Sequence, residues 1–168
     1  MMKTIPFIVI AFCLHFSFSQ ENVLDDCTIK PFSVYGFVDT DGDFTNVRSS
    51  PNGGIIMKLE NKDTWGCQFD IVAHKNGWLK FNNMWSTDEY TISDISAWIH
   101  ISVVGVATRK DVTVLNEPNG KEKIGVIEQE SGAKIKDVCA NWVKIEHNGI
   151  VGWVESEWLC GNPVTTCP

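Results

Sequence analysis

Three kinds of side chain in this 168-residue sequence have types and spacings that could do chemistry: thiols, alternating carboxylates and indoles. A catalytic cysteine needs a base to take its proton. The histidines His74, His100 and His147 each fall on or beside an expected strand, without a nucleophile motif around Cys67 or Cys139. No Cys-x-x-Cys or Cys/His spacing of a zinc site occurs. The thiols Cys27, Cys67, Cys139, Cys160 and Cys167 therefore read as disulfide candidates, with Cys160 and Cys167 bracketing a short tail that a bridge would close. Which of them pair stays open, because spacing does not determine connectivity. Asp39, Asp41 and Asp43 alternate like the start of a calcium loop. Counted from Asp39, however, Gly42 is fourth where the loop requires sixth, and Ser50 occupies the twelfth position, which requires a glutamate. The segment reads as an acidic turn. No catalytic residue, no metal and no cofactor is expected.

The indoles are the stronger signal. There are seven: Trp65, Trp78, Trp85, Trp98, Trp142, Trp153 and Trp158. In a small all-β unit a tryptophan supplies buried area that a thin core otherwise lacks. Strand parity complicates that role. Trp78 shares a face with Lys80, and Trp142 with Lys144 and Glu146, opposite the aliphatic residues Leu79, Phe81, Val143 and Ile145. An aromatic on the polar side covers an edge or lines a groove for an extended ligand. The expected ligand-binding residues are Trp78, Trp85, Tyr90, Trp98, Trp142 and Trp153.

The elements that must position these residues come from an internal repeat. Thr45-Asn46-Val47-Arg48-Ser49-Ser50-Pro51-Asn52-Gly53 is echoed by Val112-Thr113-Val114-Leu115-Asn116-Glu117-Pro118-Asn119-Gly120. Asn76-Gly77-Trp78-Leu79-Lys80-Phe81 is echoed by Ala140-Asn141-Trp142-Val143-Lys144-Ile145, and Ala97-Trp98-Ile99-His100 by Gly152-Trp153-Val154-Glu155. Landmarks recurring in one order mark a duplicated unit. The first copy is the longer between its two tryptophans, and the surplus is the segment 82–91, which holds Trp85 and Tyr90. The second copy has only the His147-Asn148-Gly149 turn there, and Asn-Gly between alternating segments predicts a tight hairpin. Alternation predicts strands at Trp78–Phe81, Lys123–Ile127, Ala133–Val138, Trp142–Glu146 and Ile150–Val154. No long capped 3.6-residue period follows the N-terminal segment, so the fold class is all-β.

Residues 1–19 read as an export signal: Lys3, then an apolar run from Ile5 to Leu14 too short to span a bilayer, then Ser17 and Ser19 before a cut at Gln20. Phe12 precedes Cys13 where a lipid-anchor signal requires a small residue, so a soluble product is expected. The formal charge of −7, with basic residues scattered, excludes a nucleic-acid partner, which would need a positive stripe. No later stretch has the apolar length of a membrane span, so no stable insertion is expected after cleavage. The division is a signal peptide at 1–19, a lead at 20–33, a first domain at 34–104 with the insertion 82–91, a second at 105–160 and a tail at 161–168.

In order and spacing these landmarks resemble the bacterial SH3-like (SH3b) domain family. Its pattern is a strand of the form Asn-Val-Arg-x-x-Pro, a glycine-marked hairpin, a Gly-Trp-x-x-Val strand and a closing Gly-(Trp/Tyr)-Val. The first copy matches at Asn46–Pro51, Gly77–Phe81 and Ala97–His100; the second at Val114–Pro118, Trp142–Ile145 and Gly152–Leu159. Asp39–Phe44 is similar to the opening of such domains in Bacteroidetes. The departures are Leu115 where the family often has Arg, Ala97 for Gly, and the insertion. The resemblance implies two tandem SH3-like β-barrels in a periplasmic or secreted, non-enzymatic module. It also implies a cell-wall (peptidoglycan) peptide as the partner; the alternative reading is an interaction or structural module whose partner is an envelope protein.

Overall fold

The computed structural model describes residues 28–36, 43–60, 66–87, 91–162 and Cys167. The expected signal peptide lies outside the described residues, as do Cys27, Trp65, Tyr90, Asp39 and Asp41. The first half contains β1 (Phe32–Gly36), β2 (Phe44–Arg48), β3 (Ile55–Glu60), β4 (Cys67–Lys75), β5 (Trp78–Ser86), β6 (Thr91–Ile92) and β7 (Ala97–His100). A 3₁₀ turn, Ile101–Val103, leads into β8 (Val104–Thr108). The second half contains β9 (Val112–Leu115), β10 (Lys123–Ile127), β11 (Gly132–Cys139), β12 (Trp142–His147) and β13 (Ile150–Glu155), then a 3₁₀ turn, Ser156–Trp158, and β14 (Leu159–Cys160). The all-β expectation holds, and the strands foreseen from alternation agree to within a residue at most ends.

All the pairings are antiparallel, and they run as one path, β10-β9-β13-β12-β11-β8-β1-β4-β5-β7-β2-β3, with β14 on β8 and β6 on β5. The two halves repeat one plan. β4-β5-β7-β2-β3 has the same order as β11-β12-β13-β9-β10, and β1 on β4 corresponds to β8 on β11. β8 thus ends the first unit by pairing with β1 and begins the second by pairing with β11. The domain boundary expected between residues 104 and 105 falls inside this shared strand. The sequence predicts two tandem barrels; among the described residues the strands pair along one continuous antiparallel path.

Local rules account for the strands. Asn76 and Gly77 (φ 50° and 75°) and Asn148 and Gly149 (φ 46° and 82°) both take positive φ, as the turn whose twist matches flanking strands requires. Asn52 and Asn119 take the left-handed conformation at equivalent points of the Pro-Asn-Gly turns. Ala140, at φ 53°, occupies the position that Asn76 holds in the first copy, and there its Cβ costs roughly 1 kcal/mol. The inward positions of the repeated strands form a single core in which Phe69, Ile71, Leu79, Phe81, Val104, Val106, Val143 and Ile145 are fully buried. Phe69 and Phe81 meet edge to face at 5.0 Å. Thr108, at the end of β8, is fully buried. Its Oγ1 donates to the Glu128 carbonyl and accepts from the Ser131 N–H, fixing the β10–β11 connection.

The C-terminal end closes back on the first strand. A Cβ at Gly161 would lie 2.4 Å from the Val34 nitrogen and 2.6 Å from the Ser33 carbonyl carbon. Backbone cannot give way there, so Gly161→Ala is expected to lower stability by about 2 kcal/mol. Ala140→Asn is expected to raise it by about 0.5–1 kcal/mol. Urea unfolding should record both as shifts of a single transition, because β8 belongs to both halves; separate transitions for the two halves would contradict the shared strand.

Candidate functional site

The repeated Trp that opens β5 and β12 is placed by the turn before it and the 3₁₀ turn across from it. Trp78 pairs with His100 and Trp142 with Glu155. The N–H that starts each 3₁₀ turn bonds the carbonyl just ahead of the Trp: Ile101 to Gly77 at 2.9 Å and Ser156 to Asn141 at 2.7 Å. The sheet register makes Arg48 and Leu115 equivalent, since Arg48 lies opposite Trp98 as Leu115 lies opposite Trp153. Each unit therefore has a corner built from a strand-opening Trp, the last residue of its Asn-Val-Arg-type strand, the last residue of the strand before the 3₁₀ turn, and the turn itself.

In the first unit that corner is filled by the chain. The Arg48 guanidinium carbon lies 5.7 Å from the centroid of the Trp78 ring, and Arg48 Nη1 donates to the Gly53 carbonyl at 2.7 Å. The His100 ring meets Trp78 edge-on at 5.0 Å, and its Nδ1 is 2.7 Å from Ser102 Oγ. Burial holds the His100 imidazole below its ordinary pKa, so the ring is neutral near pH 7.

In the second unit the same corner is a cavity of about 250 Å³, lined by Lys110, Asp111, Leu115, Trp142, Glu155 and Trp158 together with the strand residues Val112, Thr113 and Val154. Leu115 and Glu155 stand where Arg48 and His100 stand in the first unit, and Trp158 ends its 3₁₀ turn as Val103 ends the other. Trp158 Nε1 donates to Glu155 Oε2 at 3.2 Å, and the Lys110 ammonium lies 3.1 Å from the centroid of the Trp158 ring. Asp111 Oδ1 accepts from the Gln129 N–H at 2.9 Å. Trp142 is only 6% exposed, and its indole Nε1 is buried without a hydrogen-bond partner among the described residues. A buried donor left unpaired is costly, on the order of 1–3 kcal/mol.

The tryptophans singled out from the sequence do not share one surface. Trp78, Trp142 and Trp153 are buried, at 8%, 6% and 6% exposure. They lie opposite the aliphatic face, yet Arg48 and His100 cover Trp78, while Lys144 sits 6.0 Å from the Trp153 ring. Trp98 is half-buried between Lys80 and Arg48 in the register. Trp85, 41% exposed, lies between Gln68 and Thr91 on the arm of the inserted hairpin, which prolongs β5 and returns as β6. The structure thus brings Trp142 into a cavity and leaves Trp85 on the surface; Tyr90 lies outside the described residues. Lys110, Asp111, Leu115, Glu155 and Trp158 were not singled out from the sequence as site residues. The signal for two of them was present in the aligned copies, as Arg48 against Leu115 and His100 against Glu155.

Among the thiols, Cys160 and Cys167 form a disulfide with Cα atoms 6.0 Å apart. Cys139 is disulfide-bonded. Cys67 is fully buried at the start of β4. The histidines face other partners than a nucleophile. His74 lies 3.8 Å from Asp137, and His147 Nδ1 is 2.8 Å from the Gly132 carbonyl. Among the described residues no group of three or more His, Cys, Asp or Glu side chains is placed to hold a metal, and no helix is long and apolar enough to cross a membrane.

If the indole N–H of Trp142 is an unpaired donor, removing it should cost the fold little. Trp142→Phe is expected to change unfolding free energy by less than about 1 kcal/mol, because the lost area is offset by the lost desolvation penalty. Trp153→Ala should cost about 3 kcal/mol or more. A destabilisation of Trp142→Phe as large as that of Trp153→Ala, measured by urea unfolding, would show a partnered indole.

No family model matches this chain, and no curated protein matches it. Among solved structures, the chain is similar at 14% identity to NlpC2 from Trichomonas vaginalis, with a TM-score of 0.31 over 77% of this chain and 48% of that one. It is similar at 13% identity to NlpC1 from Trichomonas vaginalis, with a TM-score of 0.32 over 82% of this chain and 49% of that one. The chain spans about half the length of these two structures.

Proposed function

We propose that this protein is an exported, non-catalytic binding module that recognises cell-wall peptides through the Trp142 corner of its second unit. One observation carries the reading: a cavity of about 250 Å³ walled by two tryptophans, Trp142 and Trp158. Flat aromatic walls hold extended chain at low entropic cost. The order of the Trp landmarks in both copies supports an SH3b-like unit, and peptidoglycan peptides are the ligand class that this resemblance implies. The histidines support a non-catalytic role: one is stacked on Trp78, one faces Asp137 and one faces a backbone carbonyl.

A second reading, an interaction module for another envelope protein, is favoured by the exposed Trp85 and by the terminal strands β3 and β10, where Ile55, Ile56 and Val126 are 46%, 50% and 59% exposed. Open strand edges and surface aromatics are where protein partners dock.

Co-sedimentation with purified sacculi separates the two. Under the first reading the wild-type protein is retained, Trp158→Ala weakens retention by roughly tenfold, and Trp85→Ala leaves it unchanged. Wild-type protein that stays in the supernatant would sink the wall-binding reading. Loss of retention in Trp85→Ala alone would move the site from the cavity to the inserted hairpin.

A further inference from the structure

We infer that the Trp142 corner takes a cationic side chain of a peptide, a guanidinium or a primary ammonium, and that Arg48 in the first unit is the built-in counterpart of that ligand. The inference rests on the binding reading above and adds the chemistry of what enters.

Register equivalence is the first step. Arg48 and Leu115 hold one position of the repeated plan, Trp78 and Trp142 a second, and His100 and Glu155 a third. In the first unit the plan is completed by a cation within the same chain. The Arg48 guanidinium lies against the Trp78 ring at 5.7 Å, its Nε is buried without a hydrogen-bond partner among the described residues, and its Nη1 donates a hydrogen bond to the Gly53 carbonyl. A guanidinium on an indole face is a favourable pairing in a partly desolvated site. In the second unit Leu115 cannot reach across with a charge, and a cavity stands beside Trp142.

Charge is the second step. The neutral imidazole of His100 is replaced by the carboxylate of Glu155, and Asp111 adds a second carboxylate to the wall. Lys110 is the opposing charge. Its ammonium is held over the Trp158 ring, so it caps that wall. The carboxylates of Glu155 and Asp111 each accept one hydrogen bond from the protein, through one oxygen, from Trp158 Nε1 and the Gln129 N–H. Each carboxylate has acceptor capacity to spare. The whole chain carries −7, which favours encounter with a cation and disfavours an anion.

Shape is the third step. Trp142 and Trp158 are the two aromatic walls of the cavity, and Trp142 Nε1 is itself buried away from solvent, so the rings offer aromatic surface to the occupant. That the cation belongs to a peptide follows from the binding reading above.

The test is an ¹⁵N-resolved NMR titration of the indole N–H signals of the full chain with three blocked peptides: acetyl-Ala-Arg-Ala-amide, its neutral citrulline analogue and acetyl-Ala-Glu-Ala-amide. The Arg peptide should move the Trp142 and Trp158 signals saturably, leave Trp78 in place, and bind roughly tenfold more tightly than the citrulline peptide; the Glu peptide should not bind. Leu115→Arg, which installs the cation of the first unit, should abolish the response, whereas Leu115→Met, which keeps the fold and the neutral wall, should retain it. Equal binding of the Arg and citrulline peptides, or an undiminished response in Leu115→Arg, overturns the inference. Sacculus retention without any preference for Arg overturns this inference alone; Arg preference at Trp142 without sacculus retention overturns the wall reading alone.

Discussion

Everything in this molecule is tied to the two paired edges of β8. A strand with one neighbour belongs to one unit; Val104–Thr108 has β1 on one side and β11 on the other, and it takes β14 as well. Its backbone donors and acceptors cannot be satisfied by either half alone, and an unpaired backbone group in the interior is costly. Val104 and Val106 are fully buried, and buried Thr108 fixes the next connection through its hydroxyl. The Gly161 backbone then packs against Ser33 and Val34 of β1. The two copies of the repeat are thus joined through the pairing of β8. The second unit starts on a strand that the first has already placed.

This sharing bears on how the two corners came to differ. Where both copies of a plan are held in one sheet, each position exists twice in nearly the same backbone, and the side chains are free to diverge. The backbone of the corner is kept: the bonds of Ile101 to Gly77 and Ser156 to Asn141 hold the same 3₁₀ turn to the same Trp. What changes is the filling, Arg48 and His100 on one side, Leu115 and Glu155 on the other. In the first unit the guanidinium and imidazole pack against the Trp78 ring and make it part of the interior. In the second the scaffold leaves a cavity beside the ring.

Much of the fold was legible in the sequence because its signals are local. Alternation placed Leu79, Phe81, Val143 and Ile145 inwards, and all four are fully buried. Asn148-Gly149 and Asn76-Gly77 specified hairpins through positive φ, which needs no knowledge of the rest of the chain. Strand sharing was not legible. Val104–Thr108 is a short apolar run, and nothing in such a run says whether one or two strands will flank it. The site was half legible for the same reason. Parity correctly put Trp78 and Trp142 opposite the aliphatic face, but what covers that face comes from residues far away in sequence, Arg48 in one case and Leu115 with Trp158 in the other.

The buried but unmatched indole is a point where the core is not optimised for stability. A core optimised only for folding would place a phenylalanine at position 142 or supply an acceptor, since an unsatisfied donor lowers stability without improving packing. At the equivalent ring the chain spends an arginine to cover the face. At Trp142 no cation of the Arg48 kind is supplied: Lys110 is turned onto Trp158, Glu155 accepts from Trp158 Nε1 and Asp111 from the Gln129 N–H. Thr45 Oγ1, Asn46 Oδ1 and Arg48 Nε are likewise buried without a hydrogen-bond partner among the described residues, so it is the cavity beside Trp142, and not the unmatched donor alone, that sets this corner apart from the first.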